Sequence, residues 1–447
     1  MATETPQRTR KPRRAPRRSP GAGRRSVYLV DGARTPFLKA RGAPGPFSAA
    51  DLAVQAGRRL LLRQPFDPSA LDEVIVGCII PGPDEANIGR VTALRLGCGE
   101  HVPAWTVQRN CGSGLQAVDC AAQAIADGRS ELVLAGGTES MSHAPVLWRP
   151  EMVALLAAWS RARGPGERVK ALARLRPAHL KPIIGLLRGL RDPVVGLSMG
   201  QTAEVLSKRF GITREEMDAF AVQSHQRLAK AQEEGRLDEV EPVYHDATVH
   251  DVDDGVRPDT STAALAKLRP AFDPPFGQVT AGNSAQVTDG AAWVLVAGER
   301  AVKRYGLEPR ARMVDAQWAG LDPAQMGLGP VYASTPLLKR HGLGLDQLDH
   351  VEINEAFAAQ VLACLAAWRD RAFCRDQLGL RSALGALDPE RLNVDGGAIA
   401  IGHPVGTSGA RLVLHLLHVL AQRGGTRALA TLCIGGGQGG AMLIERA

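Results

Sequence analysis

The sequence predicts an α/β protein with a largely parallel sheet and two similar halves. Three observations support this prediction. Short apolar strands alternate with helical patterns in both ends of the 447-residue chain, each end runs from a helix through a strand to a glycine run, and a basic region lies between the two ends. Because strands that alternate with helices usually pair in parallel, we expect helices on both faces of the sheet.

The elements of the first half follow from apolar runs and from apolar residues at helical spacing. In chain order the pattern indicates a strand at 27–31, a helix at 51–62, a strand at 73–80, a helix at 87–96, a helix that follows Cys111, and a strand at 132–137. Gly136 and Gly137 close the last of these strands.

The alternation breaks at 149–191 and resumes near residue 280. Between them, helices are predicted from Ser198 and over 213–234, where Thr213 and Glu216 form a capping-box pattern. From there on, the sequence predicts strands at 292–297, 351–353, 428–434 and 441–445, a helix that begins within 354–360, a polar stretch at 369–391, and a helix at 408–420.

The two ends of the predicted folded region have the same order of elements. Cys111 is followed by a helix, a strand and a double glycine, and His403 is followed by a helix, a strand and the glycine run 435–440. This correspondence indicates an internal repeat at the scale of a domain, with a loop region between the copies.

The net charge of +8 comes from two basic zones. Residues 1–25 hold nine Lys and Arg against one Glu, so a disordered basic tail is predicted. Residues 149–191 hold ten against two acids, interleaved with apolar residues. This basic segment either contacts an anionic membrane surface or a partner protein, or forms a lid whose apolar side packs on the body. Nucleic-acid binding is not expected, because the cations are confined to these zones.

The seven cysteines indicate a reducing compartment. They form no C-x-x-C pair, and no cluster has the spacing of a zinc site. No apolar run approaches the roughly 20 residues that span a bilayer, and no signal-peptide core is present. We therefore predict a cytoplasmic protein.

Cys111 is the candidate nucleophile. It lies where a strand-like run ends and a helical pattern begins, and the free N–H groups of a helix N-terminus favour a thiolate. Gly112 and Gly114 are expected to keep side chains away from the sulfur and to leave room for a substrate. A buried structural cysteine is the alternative.

His403 and Cys433 are the candidate partners of Cys111. His403 lies between Gly402 and Pro404 at the start of a helix, and Cys433 ends a strand at the glycine run 435–440. A histidine and two cysteines can divide nucleophilic and acid–base work. The glycine run also fits G-x-G-x-x-G, but a strand rather than a helix follows it, so its N–H groups are predicted to face an oxyanion.

At these residues the chain resembles the thiolase family, from about residue 27 to 447. The matching motifs are R-T-P-F at 34–37, N-C-G-S-G at 110–114, A-G-G-T-E-S-M-S at 135–142, N-E-A-F-A-A-Q at 354–360, G-G-A-I-A-I-G-H-P-V-G at 396–406 and C-I-G-G-G-Q-G at 433–439. The resemblance implies two αβαβα halves in a five-layered core, at 26–297 and 298–447. A loop domain would be inserted at about 143–275, and the protein would form dimers or tetramers.

The resemblance also implies a role for each site residue. Cys111 would become the acyl-thioester, and His403 would activate it and later the incoming CoA thiol. Cys433 would exchange a proton with the α-carbon of acetyl-CoA. Asn354 would hold a water that, with His403, stabilises the thioester oxygen. The N–H groups of Cys111 and Gly435 would stabilise the tetrahedral oxyanion.

Coenzyme A is implied as a co-substrate, with no permanently bound cofactor and no metal. Ser284 is the serine expected to contact its pantetheine, although Asn283-Ser284-Ala285 departs from the family's common N-A-S order. The segments 149–191 and 369–391 resemble the β-subunit of the fatty-acid oxidation trifunctional complex, which associates with a hydratase/dehydrogenase subunit. The N-C-G-S-G and G-G-A-I-A-I-G-H-P motifs instead resemble short-chain acetoacetyl-CoA thiolases.

The activity implied is that of a 3-ketoacyl-CoA thiolase, which cleaves 3-ketoacyl-CoA to acetyl-CoA and a shortened acyl-CoA in β-oxidation. The alternative is an acetyl-CoA C-acetyltransferase that acts on acetoacetyl-CoA. A ketoacyl synthase would be expected to have a second histidine in place of Asn354 and to lack Cys433. A non-catalytic thiolase-like carrier or scaffold is disfavoured, since all four catalytic positions are filled.

Overall fold

The computed structural model describes residues 25–447. The predicted disordered tail therefore lies outside the described residues, except for Arg25, which pairs with Glu131. No helix in the described range combines the length and the apolar character that crossing a bilayer requires.

Helices and strands alternate through the first part of the chain, as predicted. In order they are β1 (Val27–Arg34), β2 (Leu38–Lys39), α1 (Ala49–Leu62), β3 (Glu73–Gly77), α2 (Ile88–Arg95), β4 (Ala104–Val107), α3 (Ser113–Ala126) and β5 (Leu132–Ser140).

The middle of the chain is mainly helical until it returns to the sheet. Its elements are β6 (Val146–Leu147), α4 (Pro150–Arg161), α5 (Pro165–Leu172), β7 (Ile183–Ile184), α6 (Gly185–Gly189), α7 (Met199–Phe210), α8 (Arg214–Glu233), β8 (Val243–His245), β9 (Thr248–His250), α9 (Thr262–Leu265) and β10 (Thr288–Gly298). Helix α8 begins with the predicted capping box of Thr213 and Glu216, and Ser198 caps α7.

The last part of the chain again alternates. Its elements are α10 (Glu299–Tyr305), β11 (Ala311–Gly320), α11 (Gly329–Arg340), β12 (His350–Ile353), α12 (Ala358–Arg369), α13 (Arg371–Leu378), α14 (Ala398–Ile401), α15 (Ser408–Arg423), β13 (Arg427–Ile434) and β14 (Gln438–Arg446). The polar stretch 369–391 thus contains a short helix, α13.

Four strands have the same order in each half of the sheet. The first half runs β3-β5-β10-β1, with β4 added beyond β3 and β2 beside β10, and the second runs β12-β13-β14-β11. The two series meet where Tyr28 and Leu29 of β1 pair with β11. This order makes α15 and β13 the counterparts of α3 and β5, the correspondence that the glycine runs predict.

The prediction of a largely parallel sheet is wrong at the centre of the sheet. Only β3 with its two neighbours and β12 with β13 pair in parallel among the described strands. The pairs of β1, β10, β11 and β14 at the centre are antiparallel. Strands β13 and β14 are joined by the short turn 435–437, and so short a connection can only join antiparallel strands.

The fold has five layers, and helices α3 and α15 form the central one. In β10, Trp293 and Leu295 join the core under α1, whereas Val294 and Val296 join the core that contains α3 and α15. Helices α11 and α12 cover the far face of the second half. This arrangement confirms the predicted five-layered α/β fold, and it brings the N-termini of α3 and α15 together.

A buried group of charges ties β1 to the loop region and to α15. Arg34 donates two hydrogen bonds to Asp253, at 2.7 and 2.8 Å, and its Nε lies 3.5 Å from Glu239. His415 of α15 contacts the same Glu239 through Nδ1 at 2.9 Å. All four side chains are buried, so the charges compensate each other away from water.

We expect Arg34→Met to lower the free energy of unfolding by about 3–5 kcal/mol, because it leaves Asp253 buried without its cation and leaves Glu239 paired only with His415. Urea denaturation measures this loss. Arg41→Met is the matched control, since the side chain of Arg41 is 72% exposed in its pair with Asp254 and the expected loss is under about 1 kcal/mol. Equal losses in the two variants would contradict the prediction.

Candidate active site

Cys111 lies between β4 and α3, two residues before the first residue of the helix. The preceding residue, Asn110, has a positive φ of 44°, which turns the chain at the joint. Its Nδ2 donates a hydrogen bond of 2.8 Å to the carbonyl of Gly435. The loop that carries the candidate nucleophile is thereby bonded to the glycine turn of the other half.

The predicted reason for the glycines beside Cys111 is wrong. A Cβ on Gly112 would lie 2.6 Å from Cδ1 of Ile434, and a Cβ on Gly114 would lie 2.8 Å from the backbone nitrogen of Ala410. These glycines therefore let the protein pack closely against itself and do not reserve space for a substrate.

The predicted low pKa of Cys111 is also wrong. Burial raises the pKa of this thiol above its usual value, and the N–H of Gly435 opposes that rise only in part. The free N–H groups at the start of α3 favour the thiolate, but the loss of hydration disfavours it more. A resting thiol of this kind requires a base before it can attack.

His403 is held in a defined orientation beside α15. Its Nδ1 lies 2.6 Å from Oγ of Ser408, and that hydroxyl lies 3.1 Å from the carbonyl of Pro404. Because the Ser408 hydroxyl donates to the carbonyl, its oxygen accepts the proton of Nδ1. The lone pair of His403 is therefore on Nε2, which faces Nδ2 of Asn354 at 3.4 Å.

Asn354 follows β12 and is completely buried. Its backbone nitrogen donates to Thr431 at 3.0 Å, and its Oδ1 has no hydrogen-bond partner among the described residues. The next residue, Glu355, accepts from Ser224 and Asn393, both at 2.7 Å, which fixes this loop. An orphaned acceptor next to His403 fits the water position that the resemblance implies.

Cys433 is the penultimate residue of β13 and is completely buried. Burial raises the pKa of its thiol far above the usual value, and the thiols of Cys111 and Cys364 add to the rise. Gly435 begins the turn that follows, where Gly436 and Gly437 have φ of 89° and 74°. The structure therefore brings Cys433 and the Gly435 N–H to the sulfur of Cys111.

Ser284 is buried in the loop before β10. Its hydroxyl donates a hydrogen bond of 2.6 Å to the carbonyl of Thr280, and its backbone forms a bridge with Phe357. In the described structure this serine shapes its own loop, and its contact with pantetheine stays a prediction.

Comparisons with known proteins bear on this arrangement. Two family models match the chain, one described as the thiolase N-terminal domain over residues 27–300 and one as the thiolase C-terminal domain over residues 307–446. The chain belongs to the thiolase family. Thiolases are acyltransferases, so the protein is an enzyme of that class.

Relatives of this thiolase span nearly its whole length. The 3-ketoacyl-CoA thiolase of Serratia proteamaculans is 39% identical over 423 residues, which is 94% of this chain and 96% of the relative. The β-ketoadipyl-CoA thiolase of Pseudomonas aeruginosa is 41% identical over 429 residues, which is 94% and 99% of the two chains.

Solved structures share the thiolase fold. Human mitochondrial 3-ketoacyl-CoA thiolase in complex with CoA has a TM-score of 0.80 and 38% identity, and the match covers 95% of this chain and 98% of that one. The acetyl-CoA acetyltransferase of Bacillus anthracis has a TM-score of 0.81 and 35% identity, with coverage of 95% and 100%.

Three residues near the thiolase site were not predicted from the sequence. Ser408 anchors the ring of His403, Met199 has its sulfur 3.3 Å from where a Cβ on Gly435 would lie, and Glu139 accepts bonds from two different loops. Of the three, Glu139 lies in one of the family motifs, and the sequence around Ser408 and Met199 shows no pattern that indicates a role in the site.

Among residues 25–447, no group of three or more His, Cys, Asp and Glu side chains is placed to hold a metal ion.

We expect Ser408→Ala to lower kcat about 10- to 100-fold, because His403 loses the acceptor that sets its tautomer. Steady-state kinetics of the thiolase reaction measure the change. Ser207→Ala is the matched control, since Ser207 is also a buried helical serine that donates to a carbonyl, that of Glu204 at 3.0 Å. A loss of the same size in both variants would contradict a specific role for Ser408.

His403 should act as a base well into the acid range. Burial lowers its pKa to about 4, with the charge of Arg411 acting in the same direction. The ring is therefore neutral above that pH, and we expect the ring NMR signals of His403 to show no titration between pH 7.5 and pH 5.5. A titration of these signals with a midpoint near the usual histidine value of about 6.5 would contradict this burial.

Proposed function

We propose that this thiolase cleaves 3-ketoacyl-CoA with coenzyme A, giving acetyl-CoA and an acyl-CoA shortened by two carbons, as in fatty-acid β-oxidation. The observation that carries the proposal is the meeting of the thiols of Cys111 and Cys433 beside the glycine turn, with the turn that carries His403 packed on the helix that follows Cys111. Cys111 is joined to the turn of Gly435 through Asn110, and the lone pair of His403 is on Nε2. The names of the Serratia and human relatives support this choice.

In the first half-reaction, Sγ of Cys111 attacks the 3-keto carbon while His403 takes the thiol proton. The bond between C2 and C3 then breaks, and its electron pair goes to C2 as the enolate of acetyl-CoA. Cys433 gives that carbon a proton and becomes a thiolate, which recovers a proton from His403. A thiol with a raised pKa suits this step, because it holds its proton until a carbanion develops beside it.

In the second half-reaction, the thiol of coenzyme A gives its proton to His403 and attacks the acyl-thioester on Cys111. The acyl-CoA leaves, and the sulfur of Cys111 takes the proton back. We propose that the N–H groups of Cys111 and Gly435 bind the tetrahedral oxyanion, and that a water on Asn354 acts with His403 at the thioester oxygen. The orphaned Oδ1 of Asn354 supports the second assignment.

Coenzyme A is the co-substrate in this proposal. A solved relative holds CoA, which supports binding in the same fold. We retain Ser284 as the predicted pantetheine contact. Ser284→Ala tests this assignment, because a contact with CoA predicts a higher KM for CoA at unchanged kcat, whereas a purely structural serine predicts a loss of stability without a change in KM.

The deciding experiment is CoA-dependent cleavage of a 3-ketoacyl-CoA series from acetoacetyl-CoA to long chains. We expect kcat/KM to rise with chain length. Activity confined to acetoacetyl-CoA would favour the alternative, an acetyl-CoA C-acetyltransferase, which the Bacillus neighbour supports. A series that includes 3-ketoadipyl-CoA tests the activity named for the Pseudomonas relative.

We propose that the two halves occupy 26–297 and 298–447, with the loop domain at about 143–275, and that the protein is a homodimer or homotetramer. The repeated strand order supports the division into halves.

A hydratase/dehydrogenase subunit is a further proposed partner, and co-purification with the chromosomally tagged chain tests it. A cytoplasmic location is proposed because all seven cysteines are free thiols.

We further propose that the segment 149–191 contacts an anionic membrane surface. Within this segment, all of which the structure describes, only Leu155 and Ala171 are buried. Large apolar side chains of α4 and α5, among them Trp159 and Val169, are exposed beside an excess of cations. The exposure argues against a lid packed on the body, and the sign of the charge favours an anionic surface.

Co-sedimentation with vesicles tests the membrane contact. We expect binding to phosphatidylglycerol vesicles and not to phosphatidylcholine vesicles, weakened about tenfold or more when Lys170 and Arg174 are replaced by Glu. Replacement of the exposed Arg371 and Arg381 by Glu is the matched control. Absence of binding, or binding that the first pair of changes leaves intact, would overturn the proposal.

A further inference from the structure

Glu139 is a completely buried carboxylate near the end of β5. Its Oε1 accepts the N–H of Ile80 at 2.9 Å and lies 3.6 Å from the sulfur of Cys78. Its Oε2 accepts the N–H of Ile79 at 3.0 Å and the N–H of Gly406 at 2.9 Å. One side chain therefore joins the loop after β3 to the turn before α15.

The bond to Gly406 falls inside the turn that orients the base. This turn begins at His403 and ends at Ser408, the residue that holds Nδ1 of the ring. Gly406 lies between them, so a shift of its backbone would move both the ring and its anchor. Glu139, which accepts this hydrogen bond, lies in the other half of the fold, which is the half that carries Cys111.

Glu139 also acts on the nucleophile through its charge. The carboxylate raises the pKa of the Cys111 thiol, in the same direction as burial. Burial raises the pKa of Glu139 itself to about 7, although three backbone N–H groups favour its charged form. The titratable side chain that contacts it is Cys78, and the charge of Glu139 also acts on Cys111.

We propose that Glu139 is a positioning residue that sets the turn of His403 against the half of the fold that carries Cys111. This proposal rests on the roles assigned to Cys111 and His403 under the proposed function. It assigns Glu139 no contact with the substrate. The role is instead to place the base.

Alkylation of Cys111 by iodoacetamide at pH 7, followed by mass spectrometry of its peptide, measures how well the base reaches the nucleophile. Glu139→Gln replaces one acceptor oxygen by an NH2 group, so at least one of the three backbone N–H bonds is lost. We expect this change to slow alkylation of Cys111 at least about threefold when His403 is present, and to cause no slowing in a His403→Ala background.

Glu139→Asp measures the positioning effect in the otherwise unchanged enzyme. It keeps the charge but shortens the side chain, so turnover should fall about tenfold or more. Glu204 provides the matched controls, Glu204→Asp for turnover and Glu204→Gln for alkylation. Glu204 is another buried carboxylate that accepts two N–H bonds, both at 2.8 Å, from Gln278 and Val279, and neither control should lower the quantity it is matched to.

Two results would overturn the proposal. One is alkylation of Cys111 that Glu139→Gln leaves unchanged, and the other is turnover in Glu139→Asp that falls only with the fraction of folded protein. If the unaltered enzyme cleaves 3-ketoacyl-CoA in those experiments, the proposed function stands and only the role of Glu139 fails. If the unaltered enzyme does not cleave it, the proposed function fails first.

Discussion

Replacement of Cys111 by Ser is expected to abolish turnover, with kcat lowered at least about 10³-fold. The reason is chemical, because a hydroxyl is a much weaker nucleophile than a thiol and its proton is harder to remove. His403 presents a neutral Nε2, which suits the removal of a thiol proton. Steady-state kinetics with acetoacetyl-CoA and a longer 3-ketoacyl-CoA measure the loss.

Cys120→Ser is the matched control for this change. Cys120 is a half-buried thiol on the same helix, α3, where it accepts a hydrogen bond of 3.2 Å from Gln116. Its replacement should leave kcat within about twofold. Turnover that survives in Cys111→Ser would contradict the assignment of Cys111 as the nucleophile. Equal losses in both variants would indicate that the substitutions disturb helix α3.

The positions of the candidate residues could be predicted from the sequence because they depend on residue types at the ends of elements, whereas their roles follow from the family resemblance. Cys111, His403 and Cys433 each lie where a regular pattern meets glycines, and the structure places all three at such junctions. Local patterns also predict Thr213 as a helix cap, since its partner Glu216 is only three residues away.

The orientation and ionisation of these groups could not be predicted in the same way. The pKa of Cys111 depends on burial by parts of the chain more than 300 residues away, such as Ile434 and Gly435. Glu139 and Gly406 are 267 residues apart, yet they form one hydrogen bond. Contacts of this kind leave no local pattern.

The direction of the strands shows the same limit. Alternation of helices and strands favours a parallel sheet, and that inference holds for β3 with β4 and for β12 with β13. It fails at β10, which returns to the sheet after the long loop region and pairs antiparallel with β5. The end of so long a connection does not determine the direction in which the next strand enters.

Replacement of Cys433 by Ala is expected to separate two steps that share one nucleophile. The variant has no acid to protonate the α-carbon, so cleavage of 3-ketoacyl-CoA should fall about 10²–10⁴-fold. Transfer of an acetyl group from acetyl-CoA to Cys111 and back to labelled CoA involves no change at that carbon. We therefore expect this exchange to stay within a few-fold of its rate in the unaltered enzyme.

Cys364→Ala provides the matched control, because it removes another buried thiol from the same core. The Cys364 sulfur lies 3.2 Å from the carbonyl of Gly327, and burial raises its pKa to about 12. This variant should keep both cleavage and exchange, since the proposed mechanism uses only Cys433. If Cys433→Ala lost exchange together with cleavage, Cys433 would act in acylation of Cys111 itself, and the division of work between the two thiols would be wrong.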